Sequence, residues 1–318
     1  MSNGPRPQSE SDESYENDMP KRVYVHIGLP KTATTTLQLD YFPHVNNDEY
    51  FYLGVFQPRA QKVQDPLFLQ IISAARSGDG LEEVSQALTE RLEVEQRSLI
   101  ISEEMLTVGS AEVTWQEQLS NLSKILSGID HKVLVTVREP VSAMFSFYVE
   151  LYDRFQKKGL PFSELALHDN DFGIYHYDGL LEVLSESFDP ACVHLQSFES
   201  LVKANFSATF DFLDNPTMEA AFSSLKNHNK KKKTKSAVMI PKRLKLQWVT
   251  RLYHRLGGEQ NRFAVALKWI AKKPLQKLRS ISFKSVPVPI LADNERQELA
   301  KEMAGTMDVM AERFGVRY

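Results

Sequence analysis

The chain has 318 residues, 25% of them charged and 42% hydrophobic, with one cysteine and a formal net charge of -3. This composition excludes a disordered or collagen-like chain, a disulfide scaffold and a multi-cysteine metal cluster, and leaves ample length to bury a core. The small net charge conceals a division: residues 23–225 carry 13 Lys/Arg against 29 Asp/Glu, whereas residues 226–292 carry 18 against Glu259 alone. A basic segment of that size points to an anionic ligand or surface nearby, or to solvated helix faces.

Residues 1–22 contain no apolar run and are rich in Ser, Glu, Asp and Pro, which predicts a flexible acidic tail with no secretory leader or membrane anchor. No stretch reaches the roughly 18–20 apolar residues of a spanning helix, so a cytoplasmic protein is expected. The Asn121 and Asn205 sequons are then chance matches. From residue 23 onward, short β-branched runs at Val23–Ile27, Tyr50–Leu53, Ser98–Ser102, Lys132–Val137 and Ala191–Gln196 alternate with helical patterns. Those helices are expected near 34–41, 66–76, 81–96, 113–127, 140–157, 174–187 and 201–213. The runs are almost continuously apolar, as in parallel strands covered on both faces. The expectation is an α/β fold: a P-loop-like parallel sheet covered by helices. After residue 216 the strand signals stop, and helices at 241–256, 261–272 and 293–314 predict a mostly helical C-terminal portion. Asp293 is the expected cap of the last one, with Leu299, Met303, Met310 and Phe314 at helical spacing. The reading is one domain over 23–318.

The most informative segment runs from Val23 to Gln38, VYVHIGLPKTATTTLQ. A buried strand reaches Gly28, turns tightly, and opens a helix on a run of threonines. Backbone N–H groups and hydroxyls at a helix N-terminus suit a phosphate. The nucleotide-triphosphate version, GxxxxGK[ST], places a lysine after its second glycine. Counted from Gly28, Ala33 and Thr34 stand at those two positions, and the lysine, Lys31, lies inside the turn. That speaks against a P-loop nucleotide kinase. A second signal is KVLVTVREPVSAMFS from Lys132, a strand that ends on Arg138 and is followed by Pro140 at a first helical position. A parallel strand ending on arginine puts a fixed cation in the crevice where such sheets bind ligands. The bland alternative pairs Arg138 with an acid close to Glu139.

PKTATTTLQ resembles the 5′-phosphosulfate loop, PKTGTTxLQ, of sulfotransferases that use 3′-phosphoadenosine 5′-phosphosulfate (PAPS). Strand-R-x-P with a serine eight residues after the arginine is similar to their 3′-phosphate site. The resemblance implies that Lys31 contacts the phosphosulfate bridge while Thr32, Ala33, Thr34, Thr35 and Thr36 surround the 5′-phosphate. It implies that Arg138 and Ser146 hold the 3′-phosphate. The departure is Ala33 in place of glycine, a methyl group that suits a negative φ. The FESL string at Phe198 resembles the family's y-E-x-L, with Glu199 structural. The late R-K-G-x-x-x-D-W signature of cytosolic steroid-type enzymes is absent, so the chain looks more like the bacterial and carbohydrate-type branch. Sulfuryl transfer needs no metal, and no His/Cys/Asp cluster has ligand spacing.

Such a transfer needs a proton acceptor near Lys31. The string SLIISEEML, Ser98–Leu106, resembles an S-x-E strand end that selects Glu104, with Glu103 as the alternate. Both acids could instead cap the next turn. His26 lies within a strand, which suits a buried, hydrogen-bonded histidine. Cys192 reads as a small buried hydrophobe.

The basic segment has no acid between Lys226 and Gly258 and holds four consecutive lysines, Lys230–Lys233. It suits a loop over the adenosine bisphosphate, or a guide for an anionic acceptor such as a polysaccharide or lipid headgroup. Leu244, Trp248, Leu252, Tyr253 and Leu256 make a helical stripe that fits a core or an anionic membrane surface. The interleaved aromatics and glycines of an RNA-binding surface are missing, which argues against nucleic acid. The function expected is sulfuryl transfer from PAPS to an acceptor hydroxyl, carbohydrate or lipid among the options. The rival from another class is a catalytically silent nucleotide-binding protein that engages an anionic partner.

Overall fold

The computed structural model describes residues 21–45, 48–54, 65–109, 112–203, 212–213, 237–243 and 282–314. Five strands form one parallel sheet: β1 (Val23–Gly28), β2 (Tyr50–Tyr52), β3 (Ser98–Ser102), β4 (His131–Val137) and β5 (Val193–Ser197), in the order β2-β3-β1-β4-β5. Every residue of β1 is buried. Its Val23, Val25 and Ile27 join the larger core on one face, and Tyr24 packs with Leu37, Tyr41, Phe42 and Tyr50 on the other. Full burial of each such side chain is worth about 1.5–3 kcal/mol, which is why the run is apolar at successive positions.

The helices follow the expected places. The chain after β1 continues as α1 (Thr34–Thr36), a π-helical turn (Leu37–Tyr41) and α2 (Phe42–Val45). Between β2 and β3 lie α3 (Pro66–Ser77) and α4 (Leu81–Glu95), and between β3 and β4 lies α5 (Trp115–Ile125). Asp65 caps α3 just before its N1 proline, and Thr114 with Glu117 forms a reciprocal cap on α5. After β4 come α6 (Pro140–Glu150), α7 (Tyr152–Phe155), α8 (Phe162–His168) and α9 (Tyr177–Ser187), and after β5 comes α10 (Phe198–Lys203). The stretch expected as one helix over 140–157 breaks at Leu151, whose φ of -101° and ψ of 23° leave the helical well. The last stretch is α11 (Asp293–Glu302) and α12 (Ala304–Phe314), divided at Met303. Ala292 rather than Asp293 is the cap residue, and Glu295 accepts its N–H at 3.0 Å.

Besides α8, which lies in none of the expected helix ranges, the C-terminal portion departs from the sequence expectation. Residues 237–243 and 282–289 form an antiparallel ribbon, β6 (Ala237–Arg243) and β7 (Ser282–Pro289), where a helix was expected from residue 241. Pro241, Pro287 and Pro289 obscured it, because proline lacks the ladder N–H and argues against a strand. A two-stranded ribbon consists wholly of edges and tolerates prolines. Val238 and Val288 anchor it in the main core. Residues 1–20 of the expected tail and the lysine run Lys230–Lys233 lie outside the described residues, as do the 244–256 stripe and the 261–272 pattern, whereas Arg22, assigned to the tail, pairs with Asp130 beside the sheet. No helix among the described residues is long and apolar enough to cross a membrane.

This topology positions the site. From β1 the chain moves outward to β2 and returns through β3, then crosses β1 to reach β4 on its other side. A crevice therefore opens at the carboxyl ends of β1 and β4, where connections diverge. The turn after Gly28 and the turn at Arg138 are its two walls.

Candidate active site

The turn after β1 is built on a close approach. A Cβ on Gly28 would lie 2.1 Å from Thr34 Oγ1, so only glycine lets α1 start this near the strand. Lys31 and Ala33 both lie in the left-handed region, at φ 75° and 67°. The condition under which a methyl group would suit position 33, a negative φ, is not met: the alanine adopts a left-handed conformation open to glycine without strain. Left-handed backbone costs a residue with a Cβ about 1–2 kcal/mol. The N–H groups of Lys31, Ala33, Thr34 and Thr35 have no acceptor among the described residues. Successive N–H groups in a turn of this kind make a concave anion site, reinforced by the helix N-terminus.

The threonines divide into two sets. Thr32 and Thr34 are buried, and Thr35 and Thr36 are half-buried. Thr32 Oγ1 donates to the Leu29 carbonyl at 2.7 Å and lies 2.8 Å from Thr136 Oγ1. Thr136 in turn lies 3.2 Å from His26 Nε2, whose Nδ1 lies 2.7 Å from Ser102 Oγ. A polar chain thus crosses β3, β1 and β4 beneath the turn and pins it to the sheet. Burial pushes the His26 pKa down to about 3, so the ring is neutral and structural.

Arg138 stands just past β4 and is half-buried. Its Nη1 donates to the Lys31 carbonyl at 3.2 Å, and its guanidinium lies 4.9 Å from the Phe198 ring centroid. It pairs with no carboxylate among the described residues. The neighbouring acid takes another partner: Glu139 is 4% exposed, caps α6 through the Val141 and Ser142 N–H groups at 3.0 and 2.8 Å, and pairs with Arg296 of α11. Glu199 accepts the Glu139 N–H at 3.1 Å. The Tyr177 hydroxyl donates to the Arg138 carbonyl at 2.5 Å, and the Tyr175 hydroxyl donates to the Pro30 carbonyl at 3.1 Å. These groups hold both walls of the crevice in register.

Ser146 is half-buried on α6, and its hydroxyl has no partner among the described residues. Glu103 is 1% exposed and caps the 3-10 turn Glu104–Thr107, accepting the Met105 N–H at 2.9 Å. Glu104 opens that turn and is half-buried. Lys31 Nζ pairs with Glu150, the last residue of α6. Sequence reasoning missed Glu150, Tyr175, Tyr177 and Arg296. Glu150 did carry a signal, since Ser142, Ser146 and Glu150 recur every four residues on one helix face. The other three act through contacts distant in sequence.

No family model matches the chain, and no curated protein matches it. Among solved structures, it is similar to a sulfotransferase from Alicyclobacillus acidocaldarius, with a TM-score of 0.39 and 14% identity over 82% of this chain and 100% of that one. It is also similar to retinol dehydratase in complex with androsterone and inactive cofactor PAP, with a TM-score of 0.33 and 13% identity over 95% of this chain and 84% of that one.

Proposed function

We propose that the protein transfers a sulfuryl group from PAPS to an acceptor hydroxyl. One observation carries the reading: at the switch point, a turn whose Lys31, Ala33, Thr34 and Thr35 N–H groups have no acceptor among the described residues is contacted by Arg138, a cation with no carboxylate partner among those residues. Two anion sites on adjacent strands suit a ligand with two separated phosphates better than a triphosphate chain.

In this reading the 5′-phosphate occupies the turn from Lys31 to Thr36. Arg138 and Ser146 take the 3′-phosphate, each charge-assisted hydrogen bond contributing about 1.5–3 kcal/mol. The acceptor oxygen attacks sulfur in line with the bridging oxygen, and the bond between sulfur and that oxygen breaks. Lys31 neutralises the charge that develops there, the electrostatic term that usually dominates such catalysis. A carboxylate takes the acceptor proton, and Glu104 is the candidate that the strand-end motif supplies.

Calorimetry with adenosine 3′,5′-bisphosphate and with ATP tests the donor site. Tight bisphosphate binding and weak ATP binding are expected, and the reverse order ends the reading. Transfer of labelled sulfate from PAPS to a panel of sugars, lipids and phenols then separates an enzyme from a silent binder.

A further inference from the structure

Glu150 is placed where fold stability gives it little reason to be. It ends α6, and a carboxylate in a last helical turn opposes the helix dipole, which favours cations there. No basic side chain occupies that turn. Glu103 and Glu104 differ, because both stand at the start of a helical turn, where N–H groups stabilise a carboxylate. The Glu150 side chain is 48% exposed, and it reaches the Lys31 ammonium. Tyr175, bonded to the Pro30 carbonyl, has Glu150 and Arg138 as charged neighbours. Lys31 is thus the ion-pair partner of this carboxylate, and Tyr175 is a further neighbour that ties it to the turn through Pro30.

We infer, resting on the sulfuryl-transfer reading, that Glu150, in place of Glu104, is the catalytic base and is also the resting counter-ion of Lys31. When the phosphosulfate draws Lys31 to its bridging oxygen, the carboxylate loses its cation and gains an anionic neighbour. Both changes make it more basic. It then takes the acceptor proton as the acceptor oxygen bonds to sulfur. The electron pair of the broken bond stays on the 5′-phosphate of the bisphosphate product.

Calorimetry with adenosine 3′,5′-bisphosphate in two buffers of different ionisation enthalpy reads the exchange without any acceptor. Near pH 6 the ligand's own phosphates exchange protons in both proteins, and the wild type is expected to take up a further fraction of a proton that Glu150→Gln does not. Glu150→Gln should bind about three- to fivefold more tightly, since no counter-ion must be displaced. Equal affinity and equal uptake in the two proteins overturn the counter-ion role and leave the donor site standing. Failure of the wild type to bind the bisphosphate removes the sulfuryl-transfer reading itself. PAPS turnover with 4-nitrobenzyl alcohol, with 4-nitrophenol held as its anion, and with water alone reads the base. Glu150→Gln should lose about 10²–10⁴-fold with the alcohol and water and under about tenfold with the phenolate, which needs no base. Equal losses with all three, loss with none, or this pattern in Glu104→Gln instead overturns the assignment. So does wild-type turnover no faster than the uncatalysed reaction.

Discussion

Arg138 and Lys31, the first residue past β4 and a residue in the turn after β1, are joined by a hydrogen bond from Nη1 to the main-chain carbonyl at 3.2 Å. The cation assigned to one phosphate therefore also braces the loop assigned to the other. Arg138→Ala is expected to weaken adenosine 3′,5′-bisphosphate binding about 10²-fold, the loss of one or two charge-assisted bonds. Adenosine 5′-phosphate binding should fall far less, by the bracing alone. Arg138→Lys keeps the charge without the fork and should fall between wild type and alanine. Calorimetry of the three proteins with both nucleotides reads this directly.

Gly28 is required by space rather than by φ. An added Cβ meets Thr34 Oγ1 at 2.1 Å and Thr34 Cβ at 3.1 Å. Gly28→Ala is expected to cost about 1–3 kcal/mol, the usual range for overpacking. Thr34→Ala alone should be nearly neutral, since its buried hydroxyl has no hydrogen-bond partner among the described residues. The double variant should recover part of the loss. Urea unfolding of the three variants checks the coupling, and strict additivity would place the strain elsewhere.

Ala33 at φ 67° makes the opposite kind of case. Glycine there removes about 1–2 kcal/mol of left-handed strain and returns up to about 1 kcal/mol through the greater freedom of the unfolded chain. Ala33→Gly is thus expected to leave stability unchanged or raise it by up to about 2 kcal/mol. Ala33→Val should destabilise by more than about 1 kcal/mol, because a β-branched residue tolerates this region least. Thermal melts of both variants separate a strained alanine from an accommodated one.

His26 sets a stability dependence on pH. Its folded-state pKa of about 3 lies below the ordinary 6.5, so between those values the unfolded chain binds a proton that the native ring refuses. Stability contributed by the neutral ring is complete above pH 6.5 and is lost as pH falls toward 3. The limiting slope is about 1.4 kcal/mol per pH unit. Denaturant unfolding from pH 7.5 to 5 should show stability falling below pH 6.5 in the wild type and a flatter profile in His26→Gln. Parallel profiles would mean that the ring gains a proton without cost.

Local sequence determined much of this protein. Runs such as Val23–Ile27 and Lys132–Val137 had to be buried strands, because strands covered on both faces leave no polar positions to alternate. Gly28, the threonines and Lys31 are contiguous, so the phosphate-suited turn was legible as one string. Arg138 was legible because a strand ending is a local event. The ribbon of residues 237–243 and 282–289 was not, since its prolines contradict strand propensity and only its docking through Val238 and Val288 outweighs them. Nor could any local pattern assign Glu139 to Arg296, which leaves Arg138 without a carboxylate among the described residues, or Glu150 to Lys31. Charge pairing depends on which side chains the packed helices bring within a few ångströms. The sequence by itself therefore named the candidate phosphate-binding groups, and tertiary structure alone decided which charges neutralise one another among the described residues.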